Sequence, residues 1–336
     1  MPNEPQDVLK DDPITLPAGW QERVALVGPT ASGKTAIGVC LAGRLGGEIV
    51  SADSMQVYRR LDIGTAKPTA AERQQAVFHG VDVVGPDAEW TLADYQPLGE
   101  AACLDIDQRG QTPLIVGGTG LYVRALTTRL EIPAAPPDEA FRAKWREFAR
   151  ANGNDALLAE VAKTDPDTAA RLHVNDIGRQ IRALEVHAAT GRTLTELHRD
   201  NQARMPKQSP RLFGLTFADR EALYQRIDAR VDAMLAEGLV DEVQGLISVG
   251  YPPTLKPMQA LGYKQICAYL AGDTDLDTAI ALIKQETRRF AKRQLIWFRG
   301  DPRVQWIEAD GKTPEQLAEQ ILQHLREHPK GASVDL

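Results

Sequence analysis

Long apolar runs are missing from this sequence. No stretch approaches the roughly 20 consecutive apolar residues that a helix needs to cross a bilayer, which excludes the helical membrane class. Cysteine is scarce, with three in 336 residues. Cys40, Cys103 and Cys267 stand far apart in apolar helical contexts, so a disulfide framework is excluded and buried, reduced thiols of a cytoplasmic protein are expected. The six histidines show no metal-ligand spacing; His324 and His328 are four apart but lack the glutamate of a zincin. There is no nucleophile elbow, no Cys/His cluster and no internal repeat. Positive charge is also short: 39 Lys and Arg against 46 Asp and Glu leave a net charge of −7. That argues against nucleic-acid binding over the whole surface and leaves room for a local basic face. The first residues, Met1 to Trp20, lack the basic n-region and apolar core of a signal peptide and read as a disordered leader.

What is present is a phosphate loop. Val24-Ala25-Leu26-Val27 reads as a short buried strand. Gly28-Pro29-Thr30-Ala31-Ser32-Gly33-Lys34-Thr35 follows with complete Gly-x4-Gly-Lys-Thr spacing, and Ile37 to Leu45 continues as a helix. Glycines let the backbone turn its N–H groups inward, and the helix N-terminus adds a positive field. Lys34 supplies a point charge, and the Thr35 hydroxyl can sit on a magnesium ion. The motif specifies a polyphosphate site without specifying ATP.

Beyond the loop, Glu48 to Asp53 reads as a second strand whose carboxyl end delivers Asp53, on the side where open α/β sheets bind ligands. On residue type alone Asp53 is equally a helix N-cap or a magnesium-coordinating carboxylate. Val81 to Val84 is expected to be a strand. Thr91 and Asp94 form a capping-box signature for a helix reaching about Arg109. Thr112 to Val116 is a further strand, ending in Gly117-Gly118-Thr119-Gly120 without the terminal acid of a Walker-B element. From Pro133 the pattern turns helical, with Phe141, Trp145 and Phe148 at helical spacing, a stripe that favours core over base stacking. Leu212 to Phe217 returns to strand, and Asp219 caps a helix carrying Arg226 and Arg230 four apart. For these two arginines the ordinary alternative is pairing with Asp228, Asp232 or Asp241. Gln259 to Gln265 opens another helix. Between Lys284 and Arg299, the cations Arg288, Arg289, Lys292, Arg293 and Arg299 alternate with Phe290, Trp297 and Phe298: either a solvated helix face or a tracker of nucleic-acid phosphates. Val304 to Ile307 reads as an edge strand, and Thr313-Pro314-Glu315-Gln316 starts a last helix. The fold class expected is α/β, a P-loop NTPase-like parallel sheet core with an all-helical insertion domain. Core residues are 21–132 and 210–328, and the insertion spans 133–209.

Several segments together resemble the tRNA dimethylallyltransferase family. They are the loop at 28–35, Ser-Ala-Asp-Ser-Met-Gln-Val-Tyr at 51–58, Asp-Ile-Gly-Thr-Ala-Lys-Pro at 62–68 and Gly-Gly-Thr-Gly-Leu-Tyr at 117–122. Arg182 to Val186, Arg230 to Met234, Leu261 to Gln265 and the Lys292-Arg293-Gln294 run to Trp297 complete the set. The resemblance spans about residues 22 to 310 and lacks the Cys/His zinc-finger extension of eukaryotic members, so a bacterial type is expected. It implies transfer of a dimethylallyl group from its diphosphate to N6 of the adenine 3′ of a tRNA anticodon. Residues 28–35 would then grip the diphosphate with Mg2+ on Thr35, and Arg226 or Arg230 would clamp it. Asp53 would be the general base, and Thr30 would meet the reacting end of the donor. Asp53, Ser54, Met55, Gln56, Thr119, Arg142, the stretch Gly178-Arg179-Gln180-Ile181-Arg182 and, on the basic run, Arg288, Lys292 and Arg293 would face the tRNA anticodon stem-loop. The segment from Ile177 to Arg182 departs from the pattern Pro-Gln-Arg-Leu-x-Arg; Arg182 aligns, while the roles of Arg179 and Gln180 stay open. A cytoplasmic monomer that needs no membrane is implied. The competing expectations are a prenyltransferase acting on free adenine nucleotides, a P-loop small-molecule kinase, and a non-enzymatic nucleic-acid-binding NTP switch.

Overall fold

A computed structural model describes residues 23–128, 130–203 and 210–328. The leader expected over 1–20 and the chain beyond His328 lie outside the described residues. Two compact units account for these, one holding the described residues up to Thr127 and from 210 onward, the other those from Thr128 to 203.

In the first unit the order is Val24–Val27 (β1), Lys34–Leu45 (α1), Gly47–Ala52 (β2), Ala70–Gln75 (α2), Phe78–His79 (β3), Leu92–Gln108 (α3), Thr112–Gly117 (β4) and Gly120–Thr127 (α4). The second unit contributes Glu139–Asn152 (α5), Asn154–Thr164 (α6), Pro166–Arg171 (α7), Ile177–Thr190 (α8) and Leu194–Ala203 (α9). The first unit then resumes with Arg211–Thr216 (β5), Arg220–Ala236 (α10), Leu239–Ser248 (α11), Tyr263–Leu270 (α12), Leu276–Arg299 (α13), Val304–Glu308 (β6) and Pro314–Glu327 (α14). The strands form one sheet in the order β3-β2-β4-β1-β5-β6, and every pair is parallel. This is the α/β class expected from the sequence.

Side-chain alternation on the central strands divides the core. Ala25, Val27, Val50, Ala52 and Ile115 point to one face, where Tyr95, Ile106, Leu126, Val243, Ile266, Ile283 and Phe298 cover them. Val24, Leu26, Ile49, Leu114, Val116, Phe213 and Leu215 point to the other, against α1, α10 and α14. A parallel sheet covered on both faces needs such near-continuous apolar strands. Burying each of these large side chains contributes roughly 1.5–3 kcal/mol. The buried phase of α13 reaches both faces, with Ala291 on one and Ile283 and Phe298 on the other.

Local signals set the helix ends. Thr91–Asp94 and Thr313–Gln316 form the capping boxes expected, and Asp219 accepts the N–H of Glu221. Three expectations need correction. Val81 to Val84 is no strand: Asp82 takes a left-handed φ of 58° and its carboxylate is held by Lys67 and Arg73, so the segment closes as a loop and the strand is Phe78–His79. The helix expected from Gln259 begins only at Tyr263, because Pro257–Gln259 makes a 3₁₀ turn and Gly262 takes φ 92°. Cys103 and Cys267 are buried, whereas Cys40 is half-buried.

The second unit is helical throughout its secondary structure. Leu157 and Val161 of α6 and Ile181 and Leu184 of α8 form its core, and Phe141, Trp145 and Phe148 of α5 pack against them. The aromatic stripe is therefore packing, as the pattern favoured.

Candidate active site

The loop after β1 is built around two left-handed residues. Gly33 (φ 87°) ends the turn and starts α1, a geometry open to glycine at little cost. Ala31 adopts φ 62°, which a residue with a Cβ holds only when its surroundings enforce it. Two contacts do so from behind: Arg226 Nε donates to the Ala31 carbonyl at 2.9 Å, and the Thr30 N–H donates to Gln294 Oε1 at 2.8 Å. Lys34 Nζ folds back on the Pro29 carbonyl at 2.6 Å. Burial, with Arg230 nearby, drives its ammonium down to about 7 against the pull of Asp53. The Thr35 hydroxyl has no hydrogen bond among the described residues.

A cavity of about 730 Å³ opens over this loop, at the carboxyl ends of β1, β2 and β4. Thr30 to Ala36 form one wall, with Asp53, Gln56, Gly117 and Gly118 beside them. Ile63, Val116, Ala233, Met234 and Phe290 supply apolar surface, Arg230 and Gln294 border it, and Asp62, Lys67, Glu72, Arg73, Asp82 and Glu237 add charge further round. Asp53 follows directly on β2. Its Oδ1 accepts the Met55 N–H at 2.9 Å, a local turn rather than a helix cap, and its Oδ2 has no hydrogen bond among the described residues. Thr119 fastens this segment: its N–H donates to the Ala52 carbonyl and its Oγ1 accepts the Ser54 N–H, both at 3.0 Å.

The two arginines of α10 separate. Arg226 is committed to Ala31 and lies over the Phe217 ring. Arg230 lines the cavity and has no hydrogen bond among the described residues; burial lowers its guanidinium below the usual value, opposed by Asp53, Glu72 and Glu237. Neither arginine pairs with Asp228 or Asp232, which are taken by Arg288 and Lys284. A divalent cation in such a place takes one or two protein oxygens and the rest from phosphate and water. The Thr35 hydroxyl, without a hydrogen bond among the described residues and lining the cavity, fits that requirement. No cluster of three or more His, Cys, Asp or Glu among the described residues offers an all-protein cage.

Several positions expected to face a nucleic acid are occupied otherwise. Arg288 is half-buried and holds Asp228 through both carboxylate oxygens at 2.6 and 2.7 Å, so it joins α13 to α10 instead of facing outward. Its neighbour Arg289 is exposed, as are Lys292 and Arg293, with Arg293 over the Phe290 ring. These three have no ion pair among the described residues. Gln56 accepts from the Ser51 hydroxyl and donates to the Thr65 and Ala66 carbonyls, holding the loop that borders the cavity.

In the helical unit Gln180 is 0% exposed and Ile181 4%, so both pack into the core there. Gln180 donates to the carbonyls of His173 and Val174. Gly178 and Arg179 are exposed, Arg179 beside Asp176. Arg142 and Arg182 converge on buried Glu185 at 2.8 and 2.6 Å. Burial pushes that carboxyl up, but Arg142, the Asp138 N–H and Arg182 outweigh it and hold it at about 2. Arg142, Arg146, Arg150, Arg182 and Gly178 border a cleft of about 560 Å³ in this unit.

Three supporting residues escaped the sequence. Glu242 accepts the N–H groups of Asp62, Ile63 and Gly64. Lys67 is buried between Asp62, Asp82 and the Tyr58 carbonyl. Gln294 falls in the buried phase of α13 with Ile283, Thr287, Ala291 and Phe298. A glutamine in an apolar helical stripe was the signal available for it.

Against known proteins, the IPP transferase profile matches residues 56–301 and the isopentenyl transferase profile residues 22–77. The tRNA dimethylallyltransferase of Geobacter metallireducens is 49% identical over 300 residues, 87% of this chain and 95% of its own length. That of Heliobacterium modesticaldum is 46% identical over 296 residues, 88% and 92%. Among solved structures, the tRNA isopentenylpyrophosphate transferase of Bacillus halodurans superposes with a TM-score of 0.67 at 40% identity, over 91% of this chain and 97% of that one. A eukaryotic dimethylallyltransferase acting on tRNA superposes with a TM-score of 0.74 at 27% identity, over 91% and 78%. With a phosphate loop and Asp53 facing one cavity, and relatives matched over nearly their whole length, the chain belongs to the IPP transferase family, that of the tRNA dimethylallyltransferases.

Proposed function

We propose that this chain transfers a dimethylallyl group from dimethylallyl diphosphate to N6 of the adenine immediately 3′ of the anticodon in tRNA, releasing diphosphate. One observation carries the reading: the phosphate loop and Asp53, whose Oδ2 has no hydrogen bond among the described residues, line the same cavity. The activities named for the relatives supply the acceptor class.

The donor's C1–O bond breaks with its electron pair passing to the diphosphate, while the N6 lone pair forms the C1–N bond. The leaving charge meets backbone N–H groups from Ala31 onward, the Lys34 ammonium and the Arg230 guanidinium; such aligned donors are a large term in stabilising a departing anion. Arg230 is the clamp, and Arg226 braces the loop. Mg2+ at Thr35, when bound, neutralises diphosphate charge. N6 is a weak nucleophile because its lone pair is delocalised into the ring. Asp53 Oδ2 accepts a hydrogen bond from it, orients it and takes the proton, which then passes to solvent. The apolar wall of Ile63, Ala233, Met234 and Phe290 suits the five-carbon tail. The adenine must leave the anticodon-loop stack to reach Asp53. Exposed Arg289, Lys292 and Arg293 suit the RNA phosphates of the anticodon stem-loop, and so does exposed Arg179 of the helical unit; Arg142 and Arg182, held on Glu185, and Gly178 shape the cleft beside it.

Incubation with labelled dimethylallyl diphosphate should label tRNA and leave AMP unlabelled. Labelling of AMP alone would move the assignment to a free-nucleotide prenyltransferase.

Asp53→Asn keeps shape and loses the proton acceptor. Its kcat should fall at least ~10²-fold, the lower range for loss of a general base, with donor affinity little changed. Recovery of activity at raised magnesium would instead make Asp53 a metal ligand.

Lys34 generates a pH dependence. Its ammonium titrates at about 7 in the free protein, and a bound diphosphate raises that value, so above pH 7 donor binding must take up a proton. The dissociation constant of dimethylallyl diphosphate should therefore climb between pH 7 and 9, by up to about tenfold per unit. Arg230→Ala removes a cation that holds Lys34 down, and should weaken binding overall while moving the break to higher pH. Calorimetry in buffers of differing ionisation heat reads the proton directly; no proton uptake at pH 8 would contradict the assignment.

A further inference from the structure

Helix α13 turns two polar side chains into the core: Thr287, whose hydroxyl is spent on the Ile283 carbonyl of its own helix, and Gln294, 7% exposed. Both ends of the Gln294 amide are used, and both uses lie in the site. Oε1 accepts from the Thr30 N–H at 2.8 Å, and Nε2 donates to the Gly118 carbonyl at 3.0 Å. One side chain therefore ties the phosphate loop after β1 to the turn after β4. From that turn Thr119 bonds Ala52 and Ser54, the residues on either side of Asp53. The seat is built close. A Cβ on Gly118 would stand 2.2 Å from Gln294 Nε2, and one on Gly120 2.0 Å from Trp297 Nε1. Gly118 and Gly120 thus make room for α13, while Gly117 makes room for the Ala52 backbone of β2.

We infer that Gln294 is a positioning residue for the transfer step, setting the loop that holds the leaving group against the segment that holds the proton acceptor. Pro29 has no N–H and that of Thr30 is taken by Gln294, whose own two amide ends are both occupied, so the bridge sets how Thr30 faces the cavity. The same turn of α13 carries Lys292 and Arg293 outward, so the rod that meets solvent with positive charge also holds the loop. The inference rests on the function proposed above, because it concerns the relative placement of the two reacting partners.

The test uses the full chain with dimethylallyl diphosphate and tRNA. Gln294→Met keeps length and loses both bonds; Gln294→Glu keeps the acceptor and loses the donor; Gly118→Ala displaces the amide from the other side. Gln265→Met is the control, a buried amide that bonds Gly262 and Glu286 away from the cavity. Misplacement of reacting groups by about 1 Å costs on the order of 10²-fold. The kcat of Gln294→Met and Gly118→Ala should fall by about that factor, with donor dissociation constant and tRNA KM within about threefold of wild type. Because both changes break one bridge, the double variant should be no slower than the worse single. Gln265→Met should lower the melting temperature and keep kcat. Gly118→Ala carries the test should Gln294→Met fail to fold. Wild-type kcat in the folded variants, additive losses in the double, or collapse of donor binding in step with kcat would each overturn the positioning role. A wild-type protein that transfers nothing to tRNA would instead sink the proposed function.

Discussion

The wrapped backbone from Gly28 to Thr35 is the constraint on which the rest of the unit depends. A diphosphate can be gripped by N–H groups only if the chain turns them inward, which puts Ala31 at φ 62°, a conformation its neighbours must enforce. Arg226 from α10 and Gln294 from α13 supply that enforcement, one on the Ala31 carbonyl and one on the Thr30 N–H. The order of the sheet, with β1 between β4 and β5, brings the Gly118 turn alongside the loop. Asp53, at the end of β2 one strand further, then lines the same cavity as Lys34 and Thr35.

Helix α13 shows how one element serves several ends. Its buried phase joins the two faces of the core through Ile283, Ala291 and Phe298. Its buried Gln294 holds the loop, its flank binds α10 through Arg288 and Asp228, and its exposed face carries Arg289, Lys292 and Arg293. An acidic protein thereby keeps a local positive strip. On α10 the same division recurs, with Arg226 spent on the loop and Arg230 left for the cavity.

The features legible in the sequence were those with short-range causes. The phosphate loop, the capping boxes at Thr91 and Thr313, and the delivery of Asp53 by β2 each depend on a few adjacent residues, and all stand in the fold. Long-range pairing was not legible. Nothing near Arg288 announces that Asp228, sixty residues earlier, neutralises it, and nothing near Val81 announces that Lys67 and Arg73 hold Asp82 in a loop. The choice between Arg226 and Arg230 needed the position of Ala31, which the spacing of a single helix does not contain. The resemblance leaves the role of Gln180 open, and its burial follows from the phase of α8 around Ile181 and Leu184.

The central claim is that a loop of nucleotide-binding type here holds the diphosphate of an isoprenoid rather than a nucleoside triphosphate. A ligand that binds the folded state raises its melting temperature, the stabilisation growing with the logarithm of its concentration over its dissociation constant. Thermal unfolding with magnesium and equal concentrations of dimethylallyl diphosphate or ATP therefore tests the claim directly. The account predicts clear protection by dimethylallyl diphosphate and less by ATP. Equal or greater protection by ATP, with its turnover, would contradict it and make the cavity that of a kinase.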